Sequence, residues 1–481
     1  MFHAFALTAL AAAVSAQATI NSTSPLNSGD EAWLLISSAL VFLMVPGLGL
    51  FYSGLAETKN SLTLMHAVLS AFSVACVQWA LFGYSLAFSD TSKSTFIGNF
   101  RYGALLDTMN TQHPVAPTIP ASLFSMYQMM FAAITPALFL GATGDRMKLV
   151  TMLVFVFVWT TIVYDPVAYW VWSSNGWLHN LNVMDYAGGS VVHVSSGAAA
   201  FVLAYKLGRR SDWGTRDYQN HNPVFVYIGT AMLWFGWMGF NGGSSTAANS
   251  RGVNAAFASN LAACMGGLVW MVLDTLVNKK KNSMIGFCTG AVAGLATITP
   301  GSGFVQPGFG LIFGGLASMV CFLAVKLMHR LKVDDSLDVT AVHGVGGALG
   351  MILTGLFAQH SVTDADVTPG TATPAGWVDH VWIQIPVQLA AIASVAAWSA
   401  AWTAIIASAL DSMGLKLRVN VDDEHLGLDV AEIGEEAYPF VSSLIKMGSV
   451  DSNSGSFGGY KPVLVGEDAT VQMVTSGEEI P

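Results

Sequence analysis

The sequence predicts an all-α polytopic membrane protein of eleven transmembrane helices, arranged as two inverted five-helix repeats plus a last helix. Three observations carry this expectation. Of 481 residues, 53% are apolar and 10% are charged, too few charges to cover a soluble surface of that size. Eleven stretches approach the run of about 20 apolar residues that a helix needs to cross a bilayer. An Asp-x7-His spacing also occurs twice, 150 residues apart, and ends at His193 and His343.

The chain begins with an apolar run from Phe2 to Val14 that is too short to span. It ends in the small-x-small pattern Val14-Ser15-Ala16, so residues 1–16 read as a secretory signal peptide, the other reading being an uncleaved leader. Spans are expected near 32–54, 62–88, 122–142, 148–174, 186–205, 223–242, 253–277, 284–300, 305–328, 339–358 and 382–410. Repeat one then covers about 32–205, repeat two about 223–358, and the membrane domain 17–410.

Basic residues orient the spans. With the N-terminus outside and the C-terminus inside, 17 of the 20 Lys and Arg fall in inner loops or the tail, and only Lys93, Arg101 and Arg251 lie outside. The net charge of −10 is concentrated as well: residues 411–481 hold 13 acids against 4 bases. A neutral body with an acidic tail excludes a nucleic-acid binder, which needs a basic face. Cys76, Cys264, Cys288 and Cys321 all fall inside spans, so no disulfide framework is expected. Asn21-Ser22-Thr23 is a glycosylation acceptor if the host is a eukaryote.

Ionisable groups inside spans are functional candidates. His193 follows Asp185, and His343 follows Asp335, each by eight residues. Phe51-Tyr-Ser-Gly54 and Phe240-Asn-Gly-Gly243 correspond in the same way across the first and sixth spans. Five helices per half is an odd number, so the second half enters the membrane inverted. Eight residues rise roughly 12 Å, from opposite faces of a core about 30 Å thick, which leaves roughly 6 Å between the two histidines along the normal. The glycines and serines around them allow close backbone approach, hence a narrow passage rather than a wide pore.

On the outer side the same topology gathers Trp172, Ser244, Asp185, Tyr127 and Phe131. Aromatic faces attract small cations, and a serine hydroxyl accepts a hydrogen bond from one. Asp185 adds a negative field there or caps the fifth helix.

Over residues 32–440 the chain resembles the Amt/Mep/Rh family of ammonium transporters, with a fungal Mep-like cast. The stretches that carry the resemblance are Pro46-Gly-Leu-Gly-Leu-Phe-Tyr-Ser-Gly54, Phe131-Ala-Ala-Ile-Thr135, Asp185 to His193, Gly236 to Ser244 and Val342-His-Gly-Val-Gly-Gly347. The resemblance implies a homotrimer with one pore per subunit and no cofactor or metal. Trp172 and Ser244 would recruit ammonium, supported by Asp185. Tyr127 (the family's usual outer Phe) and Phe131 would form a stacked aromatic gate. Trp237 and Phe240 would line the pore, with His193 and His343 as its twin histidines.

The implied location is the plasma membrane. The implied tail, 411–445, is a cytoplasmic segment packing under the neighbouring subunit and open to a cytoplasmic regulator; residues 446–481 are expected to be disordered. Asp165 departs from the family pattern. It reads either as a second vestibule carboxylate or as a structural group beside Pro166. Two rival functions remain at this stage: an ammonium sensor with transport secondary, and an intramembrane hydrolase, for which no HExxH or GxSxG stretch is present.

Overall fold

The computed structural model describes residues 25–215, 218–279, 281–366 and 373–438. The expected signal peptide and the far tail lie outside these residues. Among the described residues no strand forms, and ten helices are long and apolar enough to cross a membrane. In chain order the helices are α1 (Ser28–Leu55), α2 (Thr58–Phe88), α3 (Ala121–Ala142), α4 (Leu149–Asn180), α5 (Gly189–Leu207), α6 (Pro223–Ser245), α7 (Ser250–Val277), the shorter α8 (Met284–Ile298), α9 (Phe309–Leu331), α10 (Thr340–Phe357) and α11 (Gln384–Ser412).

The eighth stretch is shorter than the sequence suggested. Thr299-Pro300-Gly301 ends α8 after 15 residues, and every residue from Gly290 to Ile298 is buried in protein. A helix walled by other helices does not have to match the hydrocarbon thickness. Elsewhere the surface is apolar where lipid would touch it: Tyr205, Val253, Leu276 and Leu323 are all more than half exposed.

Four spans carry a π-helical turn: Trp79–Gly83 in α2, Thr160–Tyr164 in α4, Gly189–Val194 in α5 and Thr340–Val345 in α10. Such turns widen a helix by one residue and recur at functional sites. Here two of the four hold His193 and His343.

The helices α1 and α6 lie along each other, and a methyl group added at Gly229 would come within 2.5 Å of Phe51 N and 2.6 Å of Gly47 O. The helices α5 and α10 meet backbone to backbone, since a methyl group at Gly197 would overlap Gly344 Cα. Gly197 lies one turn past His193 and Gly344 directly follows His343, so this contact sets how near the imidazoles come.

Past α11 the chain folds back under its own helices. Val419 N donates to Arg146 O, and Lys148 N donates to Leu417 O. After the short helix α12 (Val421–Leu426), Asp429 accepts from Leu62 N, Thr63 N and Thr63 Oγ1 at the start of α2. Glu432 Oε2 accepts from Leu149 N, the first residue of α4. Carboxylates at helix N-termini satisfy orphan N–H groups and the helix dipole, so Asp429 and Glu432 act as caps on α2 and α4.

Candidate functional site

Each histidine is positioned by the aspartate eight residues before it. Asp185 Oδ1 accepts from Gly188 N and Gly189 N at 2.9 and 2.6 Å, and Oδ2 accepts from Ser190 N and Ser190 Oγ at 2.7 and 2.5 Å. Asp335 does the same in the second half, taking Val339 N at 3.1 Å and Thr340 N at 2.6 Å. Asp185 forms the cap, one of the two roles the sequence left open for it, and the residue also borders the outer vestibule. Its carboxylate is committed to backbone, while its own carbonyl accepts from Trp172 Nε1 at 2.9 Å.

Three cavities follow one another. The first is a vestibule of about 390 Å³ whose wall includes Trp172, Asp185, Ser244 and Phe131. The second is about 20 Å³, almost wholly apolar, and lies among Phe240, Trp237, Ile134, Leu138, His193 and His343. The third is about 160 Å³ and is shared by His343, Asn220, Ser336 and Asp338. Phe131 and Phe240 separate the first two, their centroids 4.2 Å apart, and His343 lines both the second and the third.

Tyr127 is placed differently from the stacked partner expected of it. It meets Phe131 edge-on, with centroids 5.0 Å apart and planes at 65°, and is absent from the vestibule wall. Its hydroxyl is the reason. It reaches the carbonyls of Gly239 and Phe240 at 2.9 and 2.7 Å, and Ser244 Oγ at 3.3 Å, pulling the ring against the end of α6. Ser244 Oγ donates to Phe240 O at 2.8 Å and can accept from the Tyr127 hydroxyl, which leaves one lone pair for a guest.

Below the phenylalanines, His193 Nδ1 and His343 Nδ1 lie 3.2 Å apart with rings inclined by 24°. One nitrogen donates and the other accepts, so the pair shares one proton between the two Nδ1 atoms. His193 also stacks on Trp237, whose indole N–H is taken by Thr299 Oγ1 at 3.0 Å. Trp237 therefore offers the passage only its ring face. His193 Nε2 is buried and has no partner among the described residues, which leaves it open to a guest.

Asp338 escaped the sequence reading. It lies in the third cavity, five residues before His343, where burial and the field of Asp335 push its carboxyl up to about 8. Asp165 lies away from the vestibule wall, fully buried, with Gln78 Nε2 donating to its Oδ2 at 2.7 Å.

A multi-pass membrane protein with a narrow, histidine-lined passage between two wider chambers is the class these features define. The chain belongs to the ammonium transporter family, whose model (Ammonium Transporter Family) matches residues 32–438. It is 47% identical to ammonium transporter 1 of Schizosaccharomyces pombe over 426 residues, covering 88% of this chain and 85% of that one. Against ammonium transporter MEP2 of Saccharomyces cerevisiae it is 42% identical, covering 85% and 83%. The crystal structure of Candida albicans Mep2 matches with a TM-score of 0.80 at 43% identity, covering 87% of this chain and 92% of that one. These relatives are transporters, not enzymes.

Proposed function

We propose that this protein is a plasma-membrane ammonium transporter, oriented N-out and C-in with eleven spans in two inverted halves, and working as a homotrimer with one pore per subunit. Ammonium is recruited in the Trp172–Ser244 vestibule, loses its proton near the Phe131–Phe240 closure and crosses as ammonia. The proton crosses separately along His193 and His343, which makes transport electrogenic. The proposed membrane domain is 17–410, with a regulatory cytoplasmic tail over 411–445.

The observation that carries this reading is the hydrogen-bonded histidine pair in a 20 Å³ apolar cavity between two larger chambers. Such a cavity holds about one water-sized molecule. Ammonium and potassium are similar in size and charge, so a plain cation pore would pass both. A dry passage excludes both as ions by their desolvation cost, but ammonium alone can shed a proton and continue as a neutral molecule. The imidazoles then supply a hydrogen bond to ammonia and a route for the proton.

In this reading Tyr127 and Asp185 hold the recruiting site in shape, while Trp237 and Phe240 wall the passage. Asp338, at the inner chamber, takes the proton onward from His343. The test is growth rescue of an ammonium-uptake-deficient yeast on low ammonium, combined with ammonium-evoked current in a reconstituted bilayer. Rescue without current would remove the separate proton route, and no rescue would remove the transporter.

A further inference from the structure

Asp165 takes no part in the passage, yet it is a fully buried carboxyl inside a span. Its one hydrogen bond among the described residues is from Gln78 Nε2 to Oδ2, at 2.7 Å. Asp165 Oδ1 and Gln78 Oε1 are both left without a partner, although both are buried acceptors. The hydroxyls of Tyr84 and Tyr164, also buried, do not bond to either of them. Gln78 Oε1 instead lies over the bare Cα side of Gly83, where an added methyl group would come within 2.7 Å of it. Gly83 closes the π-helical turn of α2, and Asp165 directly follows that of α4, so two widened turns join across this contact.

We infer that Asp165 binds a proton and forms a reciprocal acid–amide pair with Gln78, and that this pair is a lock between α2 and α4. A neutral carboxyl has one O–H donor to give, and Gln78 Oε1 is the acceptor in need of one. Both planar groups turn about broad terminal torsions, so reciprocal pairing needs no change of backbone. Exchanging the amide's nitrogen and oxygen leads to the same end, because two oxygens 2.7 Å apart require a proton between them. An ionised carboxylate with a single amide donor would bear an uncompensated desolvation cost.

The lock has a bearing on transport, and this part rests on the function proposed above. The helical segment Asp165–Trp172 runs unbroken from the pair to the vestibule tryptophan, a rise of roughly 10 Å. Asp165 is thus a positioning residue for Trp172.

The proton itself is tested without ammonium, by infrared difference spectroscopy of the full-length protein in lipid nanodiscs. Wild type minus Asp165→Asn should show the carbonyl stretch of a neutral carboxylic acid, sensitive to deuteration, and Gln78→Leu should shift it to higher frequency. Absence of that band at neutral pH overturns the proton site. In uptake assays Asp165→Asn, whose amide reproduces the neutral pair, should keep KM near wild type, and Asp165→Ala should raise KM about tenfold, the effect of leaving Gln78 unsatisfied. Loss of uptake in a folded Asp165→Asn protein, or an unchanged KM in Asp165→Ala, overturns the positioning role. A protein with the band but no transport at all would retain the proton site and lose only the proposed function.

Discussion

The Nδ1 atoms of His193 and His343 stand 3.2 Å apart, each on a π-helical turn that begins just after an aspartate cap. One proton lies between them. Replacing either imidazole by a methyl group removes the hydrogen bond and, with it, the proposed proton route. His193→Ala and His343→Ala should each reduce ammonium-evoked current in reconstituted bilayers by about 100-fold or more, the usual weight of a positioned proton-transfer group.

The two caps should behave alike. Asparagine keeps one acceptor oxygen and cannot serve the donors that converge on each carboxylate. Asp185→Asn and Asp335→Asn are each expected to destabilise the protein by about 1–2 kcal/mol. Thermal unfolding of detergent-purified protein measures this, and an unchanged midpoint in either variant would count against its cap.

The Tyr127 hydroxyl braces the end of α6 and Ser244. Tyr127→Phe should weaken apparent ammonium affinity about fivefold, the worth of roughly 1 kcal/mol of hydrogen bonding, with little change in maximal rate. Uptake kinetics with Ser244→Ala as comparison separate the brace from the hydroxyl it holds.

Asp338 supplies a pH signature. An ordinary carboxyl is ionised throughout the neutral range, whereas one pushed up to about 8 is protonated below that pH and becomes an anion above it. In the proposed route only the anion can take a proton onward from His343. Current should therefore rise as the inner-side pH climbs through 8, and Asp338→Asn should be flat across the same range. Electrophysiology on solid-supported membranes with controlled internal pH decides this.

In the near tail, Asp429→Ala and Glu432→Ala remove caps from α2 and α4. Each is expected to cost about 1 kcal/mol and to leave the tail open to protease. Limited proteolysis of the intact protein reads the second effect directly.

The histidine pair was legible in the sequence because charge is so scarce in this body that two matched Asp-x7-His stretches stand out. Helical rise and membrane thickness alone bring the rings within reach of each other. The π-helical turns were not legible, since no side-chain pattern distinguishes them from ordinary helix. Asp338 was passed over for a related reason. Its counterpart across the 150-residue repeat is Gly188, and both adopt a left-handed backbone, with φ of 58° and 111°. The repeat preserves a backbone shape there rather than a side chain, and a comparison of letters misses it. Tyr127 was legible as an aromatic in the right place, but not as a hydroxyl reaching across to α6, because that partner is more than a hundred residues away.

The 20 Å³ chamber has a kinetic consequence. A compartment with room for a single small guest cannot be pushed from behind by a second one beside it, as ions are in multi-ion channels. Under the proposed function, successive guests would enter and leave independently, so mixtures of permeant species should compete by simple mass action, with no anomalous dependence of flux on mole fraction.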